Sequence, residues 1–513
     1  MGELRNHQPI LIEKFNGLFQ RGDPDNCPLD HFTDCNNLQF MDGGFRTRDG
    51  IELLTIDDDE NTIANVVRQY TFVHDGVQSL LVLDALGNLY HTGSPTPTVP
   101  ILSISAMTDF AFVGVANRAY ISPHDGNLGL EDEFLYVYLG DGSVARKAGG
   151  TAPVSATFNV TQAISAGNVE AGIHVFGVIY ETNTGFRTKI GPDPLPTLLC
   201  NGAQAVDLND IPISPDSFVV ARHLLASKAI SGVQWAANPV PEDYELFFIP
   251  DGRIDDNTTT FLEVNFYDSE LLESAATLLD LQEEIAAGAF LSTYHNRLVI
   301  GAQYGIADAD PELDTLALIS TAWVSLVGEP EAFDNVDGLV VAPQDGYPLT
   351  NEQEYRDIMY LFKSTRTYAY VDNGDVPASW PLTIIDQGLG ASIHGVCTVG
   401  DSGGINQEYL LLVNYAGIFM FNGAFLRPEL TWKVFDRWVN FNNTLFKRIQ
   451  IVNDPISKCI FLTTPEWEVL LGDYSTALSH ESIKWCPWTF NQQATTLAIM
   501  NTNQLIIGSR EEV

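Results

Sequence analysis

LLLVNYAGIFMFNG, residues 410–423, reads as an apolar strand, a polar turn and a second apolar strand. The same shape recurs at residues 80–93 (LLVLDALGNLYHTG), 134–148 (FLYVYLGDGSVARKA), 359–371 (MYLFKSTRTYAYV) and 459–474 (CIFLTTPEWEVLLGDY). From 80 to 134, 359 to 410 and 410 to 459 the starts are 54, 51 and 49 residues apart. A period near 50 residues with about four strands per unit is what propeller blades show, because each small sheet buries its faces only against neighbouring blades. A second element recurs as Asn, then Arg or Gln, two residues, Ile, and Ser or Gly. It stands at Asn117 to Ser122, Asn296 to Gly301 and Asn503 to Gly508, each a strand entered through a polar turn.

One gap breaks the rhythm. Between Gly149 and residue 281, residues 154–192 alternate as two strands around a turn at 183–185, and four further strand candidates follow at 205–208, 217–225, 246–250 and 259–267. These six candidates in roughly 120 residues come close to the seven strands of an immunoglobulin or fibronectin type III domain and imply such a sandwich inserted into the propeller. The expected class is therefore all-β: an arm at 1–51, a propeller built from 52–150 and 281–513, and a sandwich at 151–280. Helical spacing is confined mainly to residues 270–287 (ELLESAATLLDLQEEIAA).

Charge narrows the function classes. Asp plus Glu number 66 against 26 Lys plus Arg, a net charge of -40. Such a body is repelled by phosphate backbones, which excludes ordinary nucleic-acid binding but suits a conduit past which DNA slides. Residues 1–20 lack a basic start, an apolar core and a small-residue cleavage site, so no secretory signal is expected. The most apolar stretch, 409–421, is too short to cross a bilayer, so no membrane insertion is expected. Six cysteines form no dense framework, as in a chain folded in a reducing cytoplasm.

Residues 15–51, FNGLFQRGDPDNCPLDHFTDCNNLQFMDGGFRTRDGI, carry an Asn-Gly start, a Gly-Asp-Pro turn, Asp34 and Asn37, and Gly-Gly-Phe-Arg-Thr-Arg-Asp-Gly at 43–50. With HNRLVIGA (295–302), EPEAFDN (329–335), DQGLGA (386–391), GIFMFNG (417–423) and KWCPW (484–488) in that order, the chain resembles bacteriophage virion proteins. Within them it is most similar to the tail nozzle, or tail tubular protein B, of short-tailed phages. That resemblance implies a non-enzymatic, propeller-based subunit, six copies in a ring around the DNA exit channel. It further implies an adaptor ring below the portal as neighbour, tail fibres or spikes outside, and assembly in the host cytoplasm into the virion.

A DNA conduit calls for acidic residues facing the lumen. The candidates are Asp57, Asp58, Asp59 and Glu60, then Asp251, Asp255 and Asp256, then Asp308 and Asp310. Arg46 and Arg48 stand out in a basic-poor chain and are candidates for arm contacts, an intrachain pair being the simpler use. The alternative function is a carbohydrate-binding or glycoside-hydrolysing propeller. Against it, the Ser-x-Asp-x-Gly-x-x-Trp turn of sialidases is missing and no Arg triad can be picked out. Cys27, His31 and Cys35 have helical ligand spacing, but Pro28 interrupts them and no second pair follows. No catalytic residue, cofactor or metal is therefore assigned.

Overall fold

The computed structural model describes residues 15–21, 27–28, 30–41, 44–48, 52, 54–55, 61–154, 157–304, 318–400, 408–500 and 504–510. The all-β expectation holds. An arm hairpin, β1 (Leu38–Met41) and β2 (Gly44–Thr47), precedes sheet I, made of β3 (Val66–His74), β4 (Val77–Asp84), β5 (Asn88–His91) and β6 (Leu102–Ser103). Sheet II holds β7 (Asp109–Val115), β8 (Arg118–His124), β9 (Tyr136–Tyr138) and β10 (Arg146–Lys147).

Seven strands come next: β11 (Asn159–Val169), β12 (Gly172–Thr182), β13 (Thr197–Cys200), β14 (Gln204–Asn209), β15 (Val219–Ala226), β16 (Phe247–Ile254) and β17 (Phe261–Val264). Sheet III holds β18 (Phe290–Tyr294), β19 (Arg297–Gly301), β20 (Thr321–Leu326) and β21 (Glu329–Val340). Sheet IV holds β22 (Leu349–Tyr355), β23 (Ile358–Lys363), β24 (Arg366–Tyr370) and β25 (Leu382–Asp386). Sheet V holds β26 (Val396–Gly400), β27 (Glu408–Asn414), β28 (Gly417–Phe421) and β29 (Phe425–Leu426). Sheet VI holds β30 (Ile451–Asp454), β31 (Cys459–Thr463), β32 (Val469–Asp473) and β33 (Lys484–Trp488), and a last hairpin pairs β34 (Gln493–Met500) with β35 (Gln504–Arg510).

Sheets I to VI are antiparallel meanders in chain order. Successive side chains on a strand point to opposite faces. In β27, Leu410 and Leu412 enter a core shared with sheet IV, while Leu411 and Val413 enter one shared with sheet VI. The unbroken LLLV run is the signature of a strand buried on both sides. In β4, likewise, Leu81 and Leu83 pack on Phe110 and Ile121 of sheet II, and Leu80 and Val82 pack on Ala498 of the last hairpin. Cores between II and III, III and IV, and VI and the hairpin complete a closed circuit.

Four of the five repeated segments are the second and third strands of such a sheet; residues 134–148 contribute the third and fourth strands of sheet II. The recurring Asn occupies the turn between first and second strands, with left-handed φ of 62° at Asn117 and 61° at Asn296. Asn503 lies outside the described residues.

The strands from 159 to 264 form two sheets, β11-β14-β17 and β13-β12-β15-β16. They share a core in which Val160, Val206 and Leu208 meet Phe176, Val178 and Leu224. Arg146 of β10 ties this unit to the circuit: it pairs with Glu331 at 3.1 Å and donates to Asn183 and Thr184.

The helix expected at 270–287 does not form. Short 3-10 turns at Asp268–Glu270 and Ala276–Leu278 punctuate a strap that bridges to Phe247, Asp334, Gly149 and Phe134 in turn. Its apolar residues, helically spaced in sequence, drop into three different cores: Leu271 into the two-sheet core, Leu278 and Leu281 onto its outer face, and Ile285 between sheets II and III. A helix would offer one stripe to one partner.

Candidate functional site

A buried polar cluster lies where the first strands of several sheets converge. Strand alternation puts Arg68 and Tyr70 on one face of β3. Arg68, 3% exposed, grips Asp109 with both ends of its guanidinium, Nε to Oδ1 at 2.8 Å and Nη2 to Oδ2 at 2.7 Å. His394, in the segment before β26, lies 2.9 Å from Asp109 Oδ2 through Nε2 and 2.9 Å from the Tyr70 hydroxyl through Nδ1. Arg68 also donates to Gln450, which accepts from Thr496 and the Leu497 amide of the last hairpin. One network therefore joins sheets I and II, the segments entering V and VI, and the closing hairpin.

Electrostatics fix the protonation states. Burial opposes charge on Asp109, but Arg68, His394 and His124 together outweigh it and hold the carboxyl well below its ordinary range. Burial lowers His124 to about 4 and also lowers His394, so near pH 7 both rings are neutral and Arg68 alone faces Asp109 as a cation; the histidines add their charge only in acid, where Asp109 would titrate. Burial likewise raises the Tyr70 phenol.

Asp109, His124 and His394 bring three ligand atoms within 4.8 Å of one another. Their donors do not fit a metal ion. Arg68 occupies both oxygens of Asp109. The Gly126 amide donates to His124 Nδ1 at 2.9 Å, which leaves the ring hydrogen on Nε2, the atom that would have to be bare. The cluster is a cross-link. A cavity of about 330 Å³ adjoins it, lined by β3, β26, β30 and β34 with Tyr70 and Gln450 at its wall.

Two nucleophile-type pairs are also enclosed. Ser79 lies 2.7 Å from His91, itself 2.8 Å from the Tyr138 hydroxyl. Lys363 reaches Ser320 at 3.1 Å and Asp345 at 2.7 Å. Ser79 is 5% exposed and Ser320 fully buried, so neither hydroxyl is presented to a substrate.

The sequence-derived candidates fall elsewhere. Asp57, Asp58, Asp59, Glu60, Asp308 and Asp310 lie outside the described residues. Asp251 is exposed on β16, an edge strand of the four-stranded sheet. Asp255 accepts from Arg253, while Asp256 pairs with Arg222 and caps the turn at Thr258 and Thr259. Arg46 donates to Gln39 within the arm hairpin; Arg48 donates to Asn37 and the Thr489 carbonyl and stacks over Phe490. The arm thus runs along β33, covering that sheet edge. Cys27, His31 and Cys35 do not converge: His31 meets Asp30, and Cys35 is buried between sheets V and VI beside Cys486.

Arg68 and its partners carried no local motif. The one available signal was an arginine inside an apolar strand pattern of a basic-poor chain.

No family model matches the sequence, and no curated protein matches it. Among solved structures, the crystal structure of Kluyvelomyces marxianus Hsv2 is similar with a TM-score of 0.26 and 8% identity, over 83% of this chain and 96% of that chain. A likeness that loose carries no inference about activity or partners. Among the described residues, no helix is long and apolar enough to cross a membrane.

Proposed function

We propose that the chain is a structural, non-catalytic subunit of a bacteriophage tail, a nozzle-ring protein forming the DNA exit channel below the portal and adaptor. In this reading the closed circuit is a β-propeller of six four-stranded blades and a two-stranded seventh, interrupted by the fibronectin-like sandwich, with residues 1–51 as an arm. The observation that carries the reading is the net charge of -40. Like-charge repulsion keeps a duplex centred and prevents the phosphate contacts that would stall its passage. The order of virion-type motifs along the chain points the same way. In support, the Arg68–Asp109 network is spent on holding sheets together, and Arg146 fixes the two-sheet unit to the circuit as a platform for neighbours such as fibres or spikes.

The test is DNA ejection. Reversal of Asp57 to Glu60, Asp251, Asp308 and Asp310 to Lys slows ejection more at low salt than at high salt, because screening confines the field to about 8 Å at physiological ionic strength. Ejection indifferent to the reversal contradicts the channel role. Binding of the purified chain on a glycan array would favour the carbohydrate-directed alternative.

A further inference from the structure

Two of the six cysteines meet where the arm crosses sheet VI. Cys486 stands in the middle of β33, and Cys35 lies in the arm just before β1. Cys486 is fully buried and Cys35 only 7% exposed, and both belong to the core between sheets V and VI. The backbone fixes the pair in place. The Leu18 amide donates to the Trp485 carbonyl at 3.0 Å and the Asn37 amide to the Pro487 carbonyl at 2.9 Å, one on each side of Cys486 along β33. The Leu38 amide donates to the Cys486 sulfur itself at 3.3 Å, and the Trp488 indole donates to the Leu38 carbonyl at 2.8 Å. The Cys35 thiol completes the arrangement with a side-chain hydrogen bond to Cys486.

Paired thiols differ from isolated ones because each sulfur can stabilise charge on the other. The Cys35 hydrogen bond holds the Cys486 thiol below its usual range against the effect of burial, and the Leu38 amide and Arg437 act in the same direction. Cys35 moves the opposite way, pushed up by its hydrogen bond to Cys486 and by burial. Cys486 is therefore the sulfur that becomes a thiolate, the form that attacks disulfides. Cys27, Cys200, Cys397 and Cys459 are each raised chiefly by burial, as inert structural thiols are.

We propose that Cys35 and Cys486 form a redox latch, in which oxidation joins them as a disulfide that fastens the arm to sheet VI. The oxidant is a small disulfide of the oxidised glutathione kind, which reaches the pair when the arm lifts by local opening. The Cys486 thiolate attacks one sulfur of the oxidant, whose S–S bond breaks and releases a first glutathione thiolate. When the arm recloses, Cys35 gives up its proton, its sulfur attacks Cys486 in the mixed disulfide, and the second glutathione thiolate leaves. The chain loses two electrons and two protons, and the oxidant departs as two thiols. Cys35 and Cys486 lie near opposite ends of the 513-residue chain. A cross-link that closes so long a loop restricts the unfolded chain more than a short one does. The latch acts in the same way whatever particle the chain belongs to.

The experiment uses the full chain, purified reduced and equilibrated natively in glutathione buffers of graded redox ratio. Thiols are then trapped by alkylation and the chain is digested without reductant for mass spectrometry. A peptide linking Cys35 to Cys486 is expected as the dominant cross-link, with the other four cysteines alkylated. Hydrogen exchange at the Leu18, Asn37 and Leu38 amides slows by about tenfold or more in the oxidised chain relative to the reduced one, because the latch suppresses arm opening. That comparison needs no variant. Cys35→Ser, which leaves β33 untouched, abolishes the difference, and Cys200→Ser keeps it. Three results overturn the proposal: no Cys35–Cys486 peptide at any ratio, another pairing in its place, or equal arm exchange in the linked and reduced chains.

Discussion

Replacing Asp109 by Asn isolates the network at the convergence of the sheets. The exchange keeps shape and one acceptor oxygen but removes the charge facing Arg68, a guanidinium only 3% exposed and held bidentately at 2.7 and 2.8 Å. A buried ion left without its partner costs about 3 to 5 kcal/mol. Whole domains are stable by only about 5 to 15 kcal/mol, so the loss is large. Urea unfolding followed by tryptophan fluorescence reads it, and hydrogen exchange locates it in β3, β7 and the segments before β26 and β30. The double variant Arg68→Met with Asp109→Leu recovers much of the loss, since an apolar pair of similar volume replaces a buried ion pair at little cost. A single variant within about 0.5 kcal/mol of the parent, as at an ordinary surface site, would refute the reasoning. So would a double variant no more stable than the single one.

The buried histidines add a pH dependence. Burial depresses His91 and His124 to about 4 in the folded chain from an ordinary 6.5. Their contribution is therefore complete above pH 6.5 and is lost as pH falls toward 4, at up to about 3 kcal/mol each. A urea midpoint flat between pH 7 and 4.5 would contradict it. Asp109, depressed below the ordinary 3.8, adds its own loss only under more acidic conditions. Leu410→Ala and Leu411→Ala point to opposite faces of β27, yet each costs about 2 to 5 kcal/mol because both faces are core. A sheet with one solvated face would make only one of the two costly.

The sheets were legible in the sequence because their apolar runs are local: a hairpin such as residues 410–423 carries both strands and its turn in one window. Of the strands between 159 and 264, β14 to β17 were legible for the same reason, and β11 and β12 fell within the stretch read as strand before the turn at 183–185; β13 was not read, and residues 186–192 beyond that turn make only isolated bridges. The strap at 270–287 was not, since its leucines and alanines keep helical spacing while their partners lie in three separate cores. The Arg68 network was hidden by distance along the chain. Asp109 is 41 residues from Arg68, His394 is 324 from Tyr70, and Gln450 is 382 from Arg68. Arg46 and Arg48 stood out because the chain is poor in basic residues; Arg46 bonds Gln39 inside the arm hairpin, while Arg48 ties the arm to the Thr489 carbonyl.

The central claim is a place in a particle. Cryo-electron microscopy of virions containing this chain tests it most directly. The account predicts a closed ring of copies below the portal and adaptor, with an acidic inner wall around the DNA path. Virions that lack the chain, or that carry it away from the channel with a neutral or basic wall lining the exit, would contradict it.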